Sequence, residues 1–86
     1  LVVRATGGLD LSNAQAFSGA LANARKSNAD HQLRVDLSGI DYLDSGAIGV
    51  LFDHADALQI VVNPILMPVL TISGLTKVAT VEAAAL

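Results

Sequence analysis

Leu1-Val2-Val3-Arg4-Ala5 is apolar but for one residue, and Gly7-Gly8 follows soon after. The pattern predicts a short β-strand that turns at the glycine pair. Leu9-Asp10-Leu11 continues extended into Ser12, and Ser12 with Gln15 has capping-box spacing. The hydroxyl can take an orphan helix N–H while the amide reaches back. From Asn13 to about Lys26 the period becomes helical. At about 100° per residue, Ala14, Phe17, Ala20, Leu21 and Ala24 share one face, with Gln15, Ser18, Ala22 and Lys26 opposite. Arg25 and Lys26 suit the negative pole at the end of that helix.

Leu33-Arg34-Val35-Asp36-Leu37 alternates and predicts a strand, with Ser38-Gly39-Ile40-Asp41 as a turn and Tyr42 and Leu43 packing behind it. Asp44 can cap a second helix. That helix directs Ala47, Ile48, Leu51, Ala55 and Leu58 to the core and Ser45, Gly49, Asp53 and Asp56 away from it. Leu58 to Val62 is a buried-strand candidate. Asn63-Pro64 reads as a cap with a proline in the first helical position, opening a third helix that Gly74 stops after Ser73. Pro68 lies inside it, so the helix should bend or start late. Lys77 to Val81 is the last expected strand. The order β, β, α, β, α, β, α, β implies parallel crossovers. We therefore expect an α/β fold: a mixed, mostly parallel sheet of four to five strands with about three helices packed against it.

Composition narrows the function classes. Eighty-six residues allow a single domain spanning 1–86, able to bury roughly 60% of its unfolded surface. An apolar content of 52% suffices for one core, built on aliphatics because Phe17, Phe52 and Tyr42 are the only aromatics. Cysteine is absent, which excludes disulfides, zinc–thiolate sites and a catalytic thiol. A net charge of −3 argues against a nucleic-acid partner. No apolar run reaches the roughly 18 residues of a membrane span, so no direct membrane insertion is expected. The sequence begins at Leu1 without Met, inside an expected strand, and is read as a trimmed chain.

The segment Leu37 to Leu51 carries the most chemistry. A strand ends, a short turn follows, and Asp44-Ser45 opens a glycine-containing helix. Ser45 then sits in the first turn among free backbone N–H groups, where a phosphate on its hydroxyl would find donors and a favourable dipole. Gly46 and Gly49, on the outward side of those turns, remove side chains that would hinder a partner. The same residues also read as ordinary capping, and the two glycines as points of tight helix–sheet contact.

Taken in order, Thr6-Gly7-Gly8-Leu9-Asp10, Val35-Asp36-Leu37-Ser38, Tyr42-Leu43-Asp44-Ser45, Asn63-Pro64 and Ile72-Ser73-Gly74-Leu75 resemble the STAS domain, the family of bacterial anti-sigma factor antagonists. The resemblance runs over nearly the whole chain, and it implies a STAS-type sandwich. It implies that Ser45 matches the serine that a cognate anti-sigma factor, acting as kinase, phosphorylates. The unmodified domain would bind the anti-sigma factor, and phosphorylation would end that binding. It further implies a cytoplasmic, non-enzymatic protein without cofactors, with Asp10 near the partner surface beside Asp44, Ser45, Gly46 and Gly49.

Three departures qualify the resemblance. Gly46-Ala47 stand where the family usually has a second Ser or Thr and then Gly. A hydroxyl residue followed by Gly is similar to STAS subunits of bacterial ABC lipid transporters, which bind an ATPase without being known kinase targets. The stretch between Phe52 and Leu58 is shorter than the family pattern and lacks Gly, Pro or Asn, so we expect a surface loop to be missing from the sequence near 53–58. Pro68 interrupts the third helix.

The other residues invite blander readings. Asp53, His54 and Asp56 suggest a metal, but Asp53 and His54 would point about 100° apart on a helix, so a solvated face is expected there, with His31 the remaining imidazole. No metal site is expected. Arg4, Arg34 and Lys77 read as surface charges and Met67 as a core filler. Thr6-Gly7-Gly8 lacks the lysine and spacing of a phosphate-binding loop, and no Ser/His/Asp set with a strained nucleophile turn is present. The chain reads as a kinase substrate rather than an enzyme.

Overall fold

The computed structural model describes residues 2–27 and 32–85; the expectations that fall on Leu1 and His31 lie outside them. Among the described residues four strands and three helices alternate: β1 (Val2–Leu9), α1 (Ala14–Ser27), β2 (Leu33–Leu43), α2 (Ser45–Asp53), β3 (Leu58–Val62), α3 (Met67–Ser73) and β4 (Thr80–Ala83). Short 3-10 turns at Ala55–Ala57, Pro64–Leu66 and Leu75–Lys77 join the later elements.

The strands pair in the order β1-β2-β3-β4, each neighbour parallel to the last. Because every step moves one strand in the same direction through a helix, right-handed crossovers put all three helices on one face. Burial follows that geometry. Leu33, Val35 and Leu37 of β2 and Leu58, Ile60 and Val62 of β3 are buried, whereas Arg34, Asp36, Gln59 and Val61 between them are not. The register lines up Val3, Val35, Ile60 and Val81 across the helix-covered face, and Leu21, Leu51 and Leu70, one from each helix, are fully buried with Val35 and Ile60 in one continuous core. On the bare face the next row is Arg4, Asp36, Val61 and Glu82, and the Arg4 guanidinium meets Asp36 at 3.1 Å.

Several boundaries differ from expectation. Gly7-Gly8 does not turn the chain. Gly7 takes a left-handed φ of 88°, and the register with β2 shifts beside it, so the glycines are absorbed as an irregularity inside one longer strand. There is accordingly no separate strand at Leu9–Leu11. Ser38–Asp41 is likewise not a turn: β2 runs on to Leu43, with Thr6 paired to Gly39 and Gly7 to Ile40, which buries Ile40 and Leu43. Tyr42, expected to pack, is 55% exposed. Ala20 is exposed as well; the core face of α1 is Ala14, Phe17 and Leu21, with Ala24 half-buried against the core.

The second helix ends at Asp53, and the buried Ala55 belongs to the 3-10 turn that carries the chain directly into β3. Asn63 caps with its side chain, accepting from Ile65 N–H. A 3-10 turn beginning at Pro64 comes first and α3 starts only at Met67, with Pro68 in its opening turn where no N–H is required. The last strand begins at Thr80, because Leu75–Lys77 coils into a turn that buries Leu75.

Candidate functional site

The ends of β1 and β2 pair side by side, Leu9 opposite Leu43. The β1–α1 loop therefore lies against the start of α2, and Asp44 N–H donates to Leu9 O at 3.1 Å. Asp44 is the N-cap of α2, in extended backbone geometry. One carboxylate oxygen, Oδ1, accepts the Ala47 N–H at 3.0 Å; the other, Oδ2, accepts the Leu11 N–H at 2.9 Å. A single side chain thus satisfies an orphan donor of the helix and pins the neighbouring loop.

Ser45 is the first residue of α2 and is exposed. Its hydroxyl stands at the positive end of the helix, where negative charge is favoured. Gly49, one turn on, is exposed, and a Cβ built there meets nothing within 4 Å. Phe52 follows on the same side of the helix and is 38% exposed. Ser45 and Gly49 are thus both exposed along this side of α2.

Gly46 is half-buried and faces the β1–α1 loop. A Cβ at this position would lie 2.7 Å from Leu11 Cδ2. Its missing side chain leaves room for Leu11, another part of the same chain. No motif in the sequence singles out Leu11, which reads there as part of an extended stretch. It is a loop residue, 79% exposed, held through its N–H and resting against Gly46. Its one sequence signal is a lone large aliphatic between Asp10 and Ser12 in a stretch that ends a strand.

Asp10 lies at the end of β1, half-buried, with its carboxylate turned into its own loop: Oδ1 accepts the Ser12 N–H at 2.8 Å and the Ser12 hydroxyl. The hydroxyl, helped by the backbone N–H of Ser12, holds the Asp10 carboxyl below its ordinary 3.8. The expected Ser12–Gln15 capping box does not form, because Ser12 is committed to Asp10. Asn13 ties the loop instead, accepting from Asp10 N–H at 2.9 Å and donating to Gly8 O at 2.8 Å.

The Asp53–His54–Asp56 stretch is not a uniformly solvated face. His54 Nδ1 lies 3.1 Å from Arg25 Nη1 in a partly buried contact, and Arg25 Nη2 is 3.9 Å from the exposed Asp56. These bonds join the end of α1 to the turn after α2. Among the described residues no group of three or more His, Asp or Glu is arranged to hold a metal ion. No helix among them is long and apolar enough to cross a membrane.

The family model described as "Mlab, STAS domain" matches residues 1–82. No curated protein matches the chain.

Proposed function

The chain belongs to the STAS-domain family, and on that premise we propose that it is a bacterial, cytoplasmic antagonist of an anti-sigma factor. The anti-sigma factor docks on the outward face of α2 and the adjoining β1–α1 loop, and phosphorylation of Ser45 by that same partner ends the docking. The chain acts as a binding module and kinase substrate, not as an enzyme. The observation that carries the proposal is the exposed Ser45 hydroxyl on a helix start that the Asp44 cap fixes in place. Ser45 and Gly49 form the contact floor and Asp10 and Asp44 hold its edge, while Gly46 acts from below by seating Leu11.

A phosphate brings about −1.5 to −2 charges to a position next to the Asp44 carboxylate. Enclosing both in an interface costs several kcal/mol by like-charge repulsion, equivalent to more than about a hundredfold in affinity. Local charge can therefore switch docking without a change of fold. Incubation with a candidate anti-sigma kinase and ATP is expected to add one phosphate, which Ser45→Ala abolishes. Ser45→Asp weakens binding in the same direction but by less. A kinase that binds the chain yet leaves it unmodified, with Ser45→Asp binding as tightly as the parent, would overturn the proposal.

One observation favours a second reading. With Leu11 Cδ2 2.7 Å from a Cβ built at position 46, the second hydroxyl residue usual in the family's kinase targets would require Leu11 to shift. A STAS subunit that contacts the ATPase of an ABC lipid transporter, with Ser45 unmodified, fits that arrangement. Co-purification with such an ATPase and no phosphate uptake would favour it.

A further inference from the structure

We infer that Asp44 is a relay that makes the charge at Ser45 set the position of Leu11. The inference deepens the proposal above and rests on Ser45 being the residue modified. Three contacts join the loop to the helix start: Asp44 N–H to Leu9 O at 3.1 Å, Leu11 N–H to Asp44 Oδ2 at 2.9 Å, and Leu11 Cδ2 over the space left open by Gly46. The first is backbone to backbone and indifferent to side-chain charge. The second depends wholly on a carboxylate that is also committed, through Oδ1, to Ala47 N–H at 3.0 Å.

A phosphate on the next residue acts on that carboxylate twice. It repels a like charge, and it offers oxygens to the same helix-end N–H donors. Among the described residues the Asp44 carboxylate has no third hydrogen bond and no cation pairs with it: the ion pairs there are Arg4–Asp36 and Arg25–Asp56. As the carboxylate turns, the Leu11 N–H loses its acceptor. The side chain, already 79% exposed and lying against a glycine, has little else to retain it. Phosphorylation thereby rearranges an apolar part of the docking surface as well as adding charge to it.

The test uses the full chain with phosphoserine incorporated at position 45 during translation, so that no kinase is needed and its result is separate from the kinase assay. Backbone amides are followed by NMR in the parent, the phosphorylated chain and Asp44→Asn, with and without the phosphate. Leu11 is expected to exchange roughly tenfold faster or more in the phosphorylated chain, the loss of one charge-assisted bond. Its amide shift should titrate near about pH 6 with the phosphate's second ionisation, while Leu37 in the core stays unchanged. Asp44→Asn has no charge to repel and only one acceptor oxygen for the two N–H groups, so Leu11 should already exchange faster there without the phosphate, and adding the phosphate should alter it little further. Ser45→Glu is the second charge carrier and should move Leu11 the same way by less. The inference is overturned if Leu11 behaves alike in the parent and phosphorylated chains, or if its response is as large in Asp44→Asn, which would make it a direct effect of the phosphate.

Discussion

Gly46 and Gly49 stand on the same helix and do opposite things. At Gly49 an added methyl group meets nothing, so Gly49→Ala should raise stability by about 0.5–1 kcal/mol, the difference in helix propensity. At Gly46 the same propensity gain is set against displacement of the Leu11 methyl group, 2.7 Å from the new Cβ. Because that methyl ends a flexible side chain, Gly46→Ala should be tolerated with a smaller net gain or a small loss. Urea unfolding of both variants checks the order. Equal gains would show that Leu11 does not rest where it is described. The two glycines are both legible in the sequence and indistinguishable there, since what separates them is a leucine from another loop. Asp44 was legible as a cap because capping is local chemistry. Its second bond, to Leu11, was not.

At the scale of the element, the third helix shows how far local signals reach. Asn63-Pro64, Pro68 and Gly74 each impose a backbone condition on their own neighbourhood, and the late start and the stop both appear where those residues require them. Gly74 holds a left-handed φ of 90° as the C-cap. Gly74→Ala should therefore cost about 1–2 kcal/mol, since a Cβ is unfavourable there even though nothing crowds it; a lowered urea midpoint with an unchanged slope is the expected measurement. The second strand behaves differently. Ser38-Gly39 looks like a turn in isolation, but pairing with β1 continues through Gly39 and Ile40, and burial of Ile40 outweighs the turn propensity. A ladder partner lies far away along the chain, so no local pattern announces it.

The whole molecule carries a predictable acid limb. Asp10 is held below its ordinary 3.8 chiefly by the Ser12 hydroxyl, and Asp36 chiefly by the Ser38 hydroxyl with Arg4 assisting. Depressed folded-state values mean that the stabilisation is present above about pH 4–5 and is lost as pH falls through the folded-state values. The urea midpoint should thus drop on acidification from about pH 5 to 3, and Ser12→Ala with Ser38→Ala should shrink that drop. An acid limb identical in the double variant would show that these bonds contribute nothing to it. The two carboxylates differ in place: Asp36 lies on the bare face of the sheet, Asp10 in the β1–α1 loop that Asp44 pins to the start of α2.

What the sequence determined by itself was the alternation of strands and helices, the aliphatic core positions, the cap at Asp44 and the exposed hydroxyl that follows it. These rest on period, capping and backbone chemistry, which act over a few residues. Tertiary structure decided the lengths of β1 and β2, the commitment of Ser12 to Asp10, the contact of His54 with Arg25, and the seating of Leu11 on Gly46. Each of these depends on which segments the sheet brings together, and a contact between residues distant along the chain leaves no mark on either one alone.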